Sequence, residues 1–144
     1  CQGSVKDTSL TEMSNKVQIN YLAPIQIVQS LLGNLKRGKA HIVNIGSMGG
    51  FSGSSKFPGL SIYSSTKAAL ANLSECWAEE LKEFGVTSNC LALGAVNTEM
   101  LKNAFPGYEA PVNSRLMGEK IVDFSINFNG VLNGKIIPFS VSTP

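Results

Sequence analysis

The chain has 144 residues, of which 43% are hydrophobic and 15% are charged, and its formal net charge is +2. This length suits one domain with a single buried core. The longest basic run is Lys36-Arg37, so we predict no nucleic-acid partner. No apolar run approaches the ~20 residues that span a bilayer, so we predict no membrane partner either.

The cysteines and the histidine do not form a recognisable metal or redox motif. Cys1, Cys76 and Cys90 are an odd set without CxxC spacing. This pattern favours reduced, partly buried thiols in a cytoplasmic protein. His41 precedes a predicted strand without a second ligand candidate nearby, so we predict no metal site.

The first predicted element is a long helix over residues 9–36. Ser9 and Glu12 have the spacing of a capping box. Apolar residues then recur at steps of three and four as far as Leu35, which is typical of one helical face. Pro24 falls inside this pattern, and we expect the helix to bend there.

A strand, a loop and a second helix follow. The stretch HIVNIGS, residues 41–47, is a β-branched run stopped by glycine and predicts a buried strand. Residues 48–59 contain five Gly or Pro in twelve positions and predict a loop. Apolar residues at steps of three and four, including Trp77 as a packing residue, predict a helix over residues 61–84. Gly85 stands where its C-terminal cap belongs.

The remaining elements continue the alternation. VTSNCLALG predicts a second buried strand, residues 95–116 a loop or broken helix, RLMGEKIVDFSINF a third helix and GKIIPFSV a third strand. Apolar strands that alternate with long helices indicate parallel pairing, because a right-handed crossover needs a covering helix. The predicted class is therefore α/β with a parallel sheet. Three strands would leave an unpaired edge, so we expect a missing part upstream of Cys1.

Tyr63 and Lys67 are four residues apart on the second helix, so their side chains lie one above the other. An ammonium beside a phenol favours the deprotonated phenol, and the positive end of the helix acts in the same direction. Such a pair suits general acid–base catalysis. The same spacing also occurs on the solvent side of ordinary amphipathic helices.

Ser47 lies just past the carboxyl end of the first predicted strand, and Tyr63 begins the next helix. Ligands of open α/β sheets bind outside the carboxyl ends of the strands, so both side chains can face one crevice. Ser47 could hold a carbonyl or hydroxyl oxygen there while Tyr63 moves its proton. The alternative is that Ser47 only forms the turn beside Gly46.

Four motifs together resemble the short-chain dehydrogenase/reductase family. They are NIGS followed by YSSTK, with VQINYLAP before them and LGAVNTEM after them. The resemblance covers nearly the whole chain, from CQG, which sits like the family's Asn-Ala-Gly, to NGKIIPFSV as the last strand. It implies a Rossmann-like doubly wound parallel sheet, of which residues 1–144 would be the C-terminal part of one domain.

The resemblance also implies roles for individual residues. Tyr63 would be the catalytic acid/base, Lys67 would tune it and bind the nicotinamide ribose, and Ser47 would orient the substrate oxygen. Asn20 would hold a proton-relay water, unless it is an ordinary polar helix residue. The remaining cofactor contacts would come from Gly3, Gly94, Ala95, Val96 and Thr98. Thr98 could equally cap a short helix.

Three features depart from the family pattern. Leu93 replaces the usual proline of the Pro-Gly turn. The interval from Ser47 to Tyr63 is sixteen residues, a few more than usual, so residues 53–59 could bulge over the site. The glycine-rich turn after a first strand is missing, as is the acidic residue that reads the ribose. We therefore expect the C-terminal part of a longer enzyme.

The predicted function is that of an oxidoreductase that moves hydride between NAD or NADP and a small carbonyl or secondary alcohol. The family commonly pairs its two long helices into a four-helix interface, which favours a homodimer or homotetramer. The alternative function is a catalytically inactive interaction module that dimerises through these helices. Apolar residues on the loop after the second strand could line a substrate lid or form a satellite cluster: Met100, Leu101, Phe105 and Tyr108.

Overall fold

The computed structural model describes residues 6–141 of the chain, so Cys1 and Gly3 lie outside the described residues. Within these residues the α-helices are Leu10–Val17 (α1), Ala23–Gly38 (α2), Ser61–Glu80 (α3), Glu99–Ala104 (α4) and Ser114–Asn127 (α5). The β-strands are His41–Ile45 (β1), Thr87–Leu93 (β2) and Lys135–Phe139 (β3). A π-helical turn spans Gln18–Leu22, and 3₁₀ turns span Met48–Gly50 and Lys82–Phe84.

The strands form one parallel sheet in the order β1-β2-β3. This confirms the predicted α/β class with a parallel sheet. In the register, Cys90 of the central strand pairs with Asn44 on one side and Ile136 on the other. β2 is buried over most of its length, whereas Ile45 at the end of β1 is 38% exposed. Of the two strands predicted to be buried, β2 is therefore the more completely covered.

Helices cover both faces of the sheet. Asn44 on β1 donates through Nδ2 to the hydroxyl of Ser74 on α3 at 2.8 Å. His41, three residues earlier on the same strand, packs its ring against Phe124 of α5 with 5.5 Å between the ring centroids. Residues an odd number apart on a strand point to opposite faces. The sheet therefore lies between α3 and α5.

The main hydrophobic core lies between α2, α3 and the sheet. Ile42, Trp77, Leu81 and Val86 are buried there, and the inner face of α2 packs against them. Trp77 is 7% exposed, so its predicted packing role is confirmed. The helix predicted over residues 61–84 corresponds to α3 and the 3₁₀ turn after it. It ends as predicted, because Gly85 adopts a left-handed conformation with φ of 72°.

The helix predicted over residues 9–36 is irregular at a different position from the predicted bend. It runs from α1 through the π-helical turn into α2, so the disturbance lies at Gln18–Leu22, just before Pro24. Proline has no N–H to donate to the residue four positions earlier, which is Asn20. The missing hydrogen bond accounts for a wider turn there.

Among residues 6–141, no helix combines the length and the apolar character needed to span a bilayer.

Candidate active site

Ser47 directly follows Gly46, just past the carboxyl end of β1. It is half-buried and caps the 3₁₀ turn that follows, with its Oγ accepting a hydrogen bond from the backbone N–H of Gly49 at 3.1 Å. The predicted turn-forming role of Ser47 is therefore present. An oxygen that accepts this bond still carries a hydroxyl hydrogen that can be donated elsewhere.

Tyr63 and Lys67 occupy the first two turns of α3, and both are half-buried. The Lys67 ammonium nitrogen lies 5.9 Å from the centroid of the Tyr63 ring. The same nitrogen donates a hydrogen bond to the backbone carbonyl of Ile45 at 2.8 Å. The structure thus places the lysine beside its predicted tyrosine partner and binds it to the strand end that leads to Ser47.

Burial is the main influence on the Lys67 ammonium. It lowers the pKa of this group, because removal from water disfavours the charged form, and the nearby Cys90 acts weakly in the opposite direction. Burial also raises the pKa of the Cys90 thiol. A lowered lysine pKa beside a phenol is a feature of sites that transfer protons.

The turn after Ser47 packs directly on α3 at residues that flank the tyrosine–lysine pair. A Cβ placed on Gly50 would lie 2.6 Å from the backbone nitrogen of Ala68 and 2.7 Å from the carbonyl carbon of Lys67. A Cβ on Gly49 would lie 3.1 Å from Oγ of Ser64. Only glycine allows the backbone this close to the helix, so the glycines set the spacing between the turn and α3.

Asn20 lies in the π-helical turn and is tied to α3. Its Nδ2 donates to Oγ1 of Thr66 at 3.1 Å, and the Thr66 hydroxyl donates to the carbonyl of Tyr63 at 2.8 Å. Asn20 therefore contacts the helix that carries the tyrosine–lysine pair through Thr66. Thr66 was not predicted to make this link, although its place between Tyr63 and Lys67 was a usable signal.

The turn after β2 lies beside the turn after β1, because the two parallel strands are neighbours. Gly94 donates its backbone N–H to the carbonyl of Phe139 at 3.1 Å, Ala95 is buried and Val96 is half-buried. Thr98 caps α4, since its Oγ1 accepts from the N–H of Leu101 at 3.2 Å. The capping role predicted for Thr98 is confirmed, and a cofactor contact stays a prediction. Gly3 lies outside the described residues.

The loops above this edge of the sheet touch through two aromatic rings. Phe57 precedes α3, Phe105 ends α4, and their ring centroids are 5.1 Å apart in an edge-to-face arrangement. Met100 on α4 is 65% exposed. The lid and the satellite cluster both stay open as interpretations of this loop.

A buried polar group beneath the site was not anticipated from the sequence. Cys90, Ser74 and Asn44 lie between β1, β2 and α3, and each is at most 8% exposed. From the sequence, Cys90 was predicted only to be a reduced thiol. Cys90 faces α3 below the carboxyl edge of the sheet. Predicting this position would have required the pairing of β1 with β2.

A parallel α/β sheet between helices, with polar side chains where its consecutive strands end, is the architecture of a Rossmann-like protein. The chain belongs to the short-chain dehydrogenase family. The sequence signature described as "short chain dehydrogenase" matches residues 1–109.

Individual relatives agree with this membership. The chain is 30% identical over 107 residues to "Dehydrogenase/reductase SDR family member 7B" of Danio rerio. The aligned region covers 74% of this chain and 34% of the relative. It is 39% identical over 82 residues to "Very-long-chain 3-oxoacyl-CoA reductase" of Laccaria bicolor, covering 56% of this chain and 23% of the relative. The chain thus spans about a third or less of the length of these curated relatives.

Solved structures share the fold. The structure titled "ElxO with NADP Bound" superposes with a TM-score of 0.81 at 22% identity and covers 97% of this chain and 61% of that chain. At this identity the likeness shows the fold alone, which is the predicted Rossmann-like parallel sheet.

Proposed function

We propose that this chain carries the catalytic part of an oxidoreductase that moves hydride between a nicotinamide cofactor and a carbonyl or secondary alcohol. The observation that carries the proposal is the position of the Lys67 ammonium. It lies 5.9 Å from the ring of Tyr63 and 2.8 Å from the carbonyl of Ile45, two residues before Ser47. One cation therefore connects the proposed acid/base with the strand end that positions the proposed substrate-orienting hydroxyl.

In the reducing direction, Tyr63 donates its phenolic proton to the carbonyl oxygen as the carbonyl carbon is reduced. Ser47 donates a hydrogen bond to that oxygen, because its own Oγ already accepts from the N–H of Gly49. Lys67 places a positive charge 5.9 Å from the centre of the Tyr63 ring, where it offsets the negative charge left on the phenol oxygen after the proton is transferred. The oxidising direction uses the same groups in reverse.

Proton supply to Tyr63 is the proposed role of Asn20. Pro24 cannot donate to the backbone carbonyl of Asn20, so that carbonyl is a candidate acceptor for a relay water. The bond from Asn20 to Thr66 holds this turn against α3, close to the residues that would receive the proton.

The proposed cofactor is NAD or NADP, which supplies or accepts the hydride when bound. Family membership and a similar structure titled with NADP support it. Lys67 would bind the ribose next to the nicotinamide, and the backbone of the turn from Gly94 to Thr98 would contact the carboxamide. The donor set fits, because an ammonium and the backbone of this turn lie at neighbouring strand ends.

A titration tests the proposal. The 144-residue chain and the same chain extended upstream are each titrated with NADH and NADPH, and nicotinamide fluorescence is followed. We expect the extended chain to bind one of them, because the sequence 1–144 contains no glycine-rich turn for the adenosine end. A complete protein that binds neither nucleotide contradicts the proposal.

A second proposal concerns assembly. Ile19 in the π-helical turn is 70% exposed, and Ile27 and Leu31 on α2 are 59% and 45% exposed. We propose that these residues pack against a second copy of the chain in a homodimer or homotetramer. The alternative function, an inactive module that dimerises through its long helices, would use the same surface and would lack turnover. Light scattering of wild type and Ile27→Glu separates an assembled from a monomeric state.

A further inference from the structure

Cys90 occupies the space between the end of β1 and helix α3. Its side chain is completely buried. It interacts with the Ser74 hydroxyl on α3, and Ser74 is held in turn by the amide of Asn44 and the carbonyl of Leu70. The thiol therefore has rigid neighbours on the helix side.

On its other side the thiol contacts Gly46. A Cβ placed on Gly46 would lie 2.5 Å from Sγ of Cys90 and 3.2 Å from the carbonyl oxygen of Leu91. Real Cβ atoms do not approach sulfur this closely, so the thiol fills the volume that a side chain at position 46 would need. The Gly46 backbone is also anchored to β2, since its N–H donates to the Leu91 carbonyl at 2.9 Å.

Gly46 links the two backbone positions on which the proposed chemistry depends. The residue before it, Ile45, offers the carbonyl that holds the Lys67 ammonium at 2.8 Å. The residue after it is Ser47. A shift of the Gly46 peptide therefore moves the lysine acceptor and the serine hydroxyl together.

The contact acts through shape rather than charge. Burial is the largest influence on the Cys90 thiol and raises its pKa, so at neutral pH the contact with Gly46 is made by the uncharged thiol. A neutral, polarisable sulfur that touches backbone on one side and a hydroxyl on the other serves as a spacer.

We propose that Cys90 is a positioning residue, which through its contact with Gly46 sets the placement of Ser47 and of the Lys67 ammonium relative to Tyr63. This inference rests on the proposed function and adds a structural determinant to it. A thiol at position 90 and glycine at position 46 form a matched pair, in which the size of one determines the size allowed to the other.

The test is a double-mutant cycle in the complete protein. Gly46→Ala places a methyl group 2.5 Å from the sulfur and pushes the strand end aside. A shift of about 1 Å in a catalytic group reduces turnover by about 100-fold, so we expect that loss in kcat when Ser47 and the Lys67 ammonium are displaced. Cys90→Ala alone leaves a small cavity and lowers kcat by less than about tenfold. The double variant removes the sulfur that the new methyl group meets, so we expect it to recover at least about tenfold of the loss.

Controls separate positioning from folding. Cys76→Ala removes the exposed thiol of α3 and leaves kcat unchanged. Cys90→Ser keeps a small neutral group against Gly46 and retains most activity. All rates are referred to folded protein, measured by near-ultraviolet circular dichroism, and the pH profile of kcat is recorded. A purely structural role changes the folded fraction but neither the pH profile nor kcat per folded molecule.

Each outcome decides one question. If Gly46→Ala does not fold, Cys90→Met tests the same contact from the other partner, because its longer side chain presses on the Gly46 backbone, and its kcat per folded molecule is compared with that of Cys90→Ser. Additive losses in an active enzyme overturn the inference and leave the proposed function standing. A wild-type protein that neither binds nicotinamide nor reduces any carbonyl overturns the proposed function and the inference with it.

Discussion

The ammonium nitrogen of Lys67 donates a hydrogen bond to the carbonyl oxygen of Ile45 across 2.8 Å. This contact joins the second turn of α3 to the end of β1, at the point where the backbone turns toward Ser47. A lysine side chain carries about 2 kcal/mol of rotamer entropy in solution, so holding its ammonium in one position has a free-energy cost. The proposed chemistry requires the positive charge to stay beside Tyr63, and this hydrogen bond restrains it there.

Replacement of Tyr63 by Phe tests the proposed acid/base directly. The ring is only half-buried, so loss of its hydroxyl should leave the fold intact. We expect kcat to fall by at least about 100-fold, because a positioned acid/base contributes that much or more. The measurement is cofactor oxidation at saturating substrate. Ser65→Ala removes a hydroxyl from the exposed side of the same helix and should retain full activity. Substantial activity in Tyr63→Phe would count against the assignment.

A methyl group at position 50 tests the close packing of the turn on α3. In Gly50→Ala the new Cβ would lie 2.6 Å from the Ala68 nitrogen, and backbone cannot move aside as a flexible side chain does. We expect a loss of roughly 1–3 kcal/mol in the free energy of unfolding, measured in urea. Gly118→Ala in α5 meets no atom within 4 Å and should be neutral or gain about 0.5–1 kcal/mol. Equal effects of the two substitutions would contradict the packing argument.

Two buried serines should respond differently to removal of their hydroxyls. The Ser74 hydroxyl accepts from Asn44 and donates to Leu70, so Ser74→Ala leaves a buried amide unpaired and should cost about 1–3 kcal/mol. Ser88 Oγ is buried without a hydrogen-bond partner among the described residues. Ser88→Ala should therefore be neutral or stabilising. Urea unfolding of both variants checks the pair, and a destabilised Ser88→Ala would show that its hydroxyl has an unrecognised partner.

The stability of the fold should fall as the pH drops below the ordinary pKa of histidine. Burial lowers the pKa of His41, and its Nδ1 faces the Ser125 carbonyl at 3.1 Å while Nε2 faces the amide of Asn89 at 2.9 Å. The amide donates to Nε2 only when that nitrogen is unprotonated. Below about pH 6.5 the unfolded histidine takes up a proton before the folded one, which favours unfolding.

His41→Gln should remove this part of the pH dependence. His41 is the one histidine of the sequence, so the interval between about pH 7.5 and about pH 5.5 isolates its contribution. The free energy of unfolding is measured in urea at both pH values for wild type and variant. If both proteins lose the same stability over this interval, the His41 explanation is wrong.

Several features of the site could be predicted because they depend on neighbours in the sequence. The four-residue spacing of Tyr63 and Lys67 determines their shared side of α3, and the glycine after β1 ends that strand before Ser47. The position of the first helix's irregularity was predicted less well. The bend was predicted at Pro24 itself. The hydrogen bond that proline cannot donate is missing at the carbonyl four residues earlier, in the turn that holds Asn20.

The sequence by itself determined the alternation of helices and strands and the parallel class of the sheet, because apolar periodicity is a property of short segments and the crossover rule needs only the order of strand, helix and strand. The tertiary structure alone decided what lies beneath the site. Contacts such as Cys90 with Gly46, Gly50 with the backbone of Lys67, and His41 with Asn89 join residues from different elements. Their existence depends on strand register and on close approach of backbones, and no local pattern of residues encodes either one.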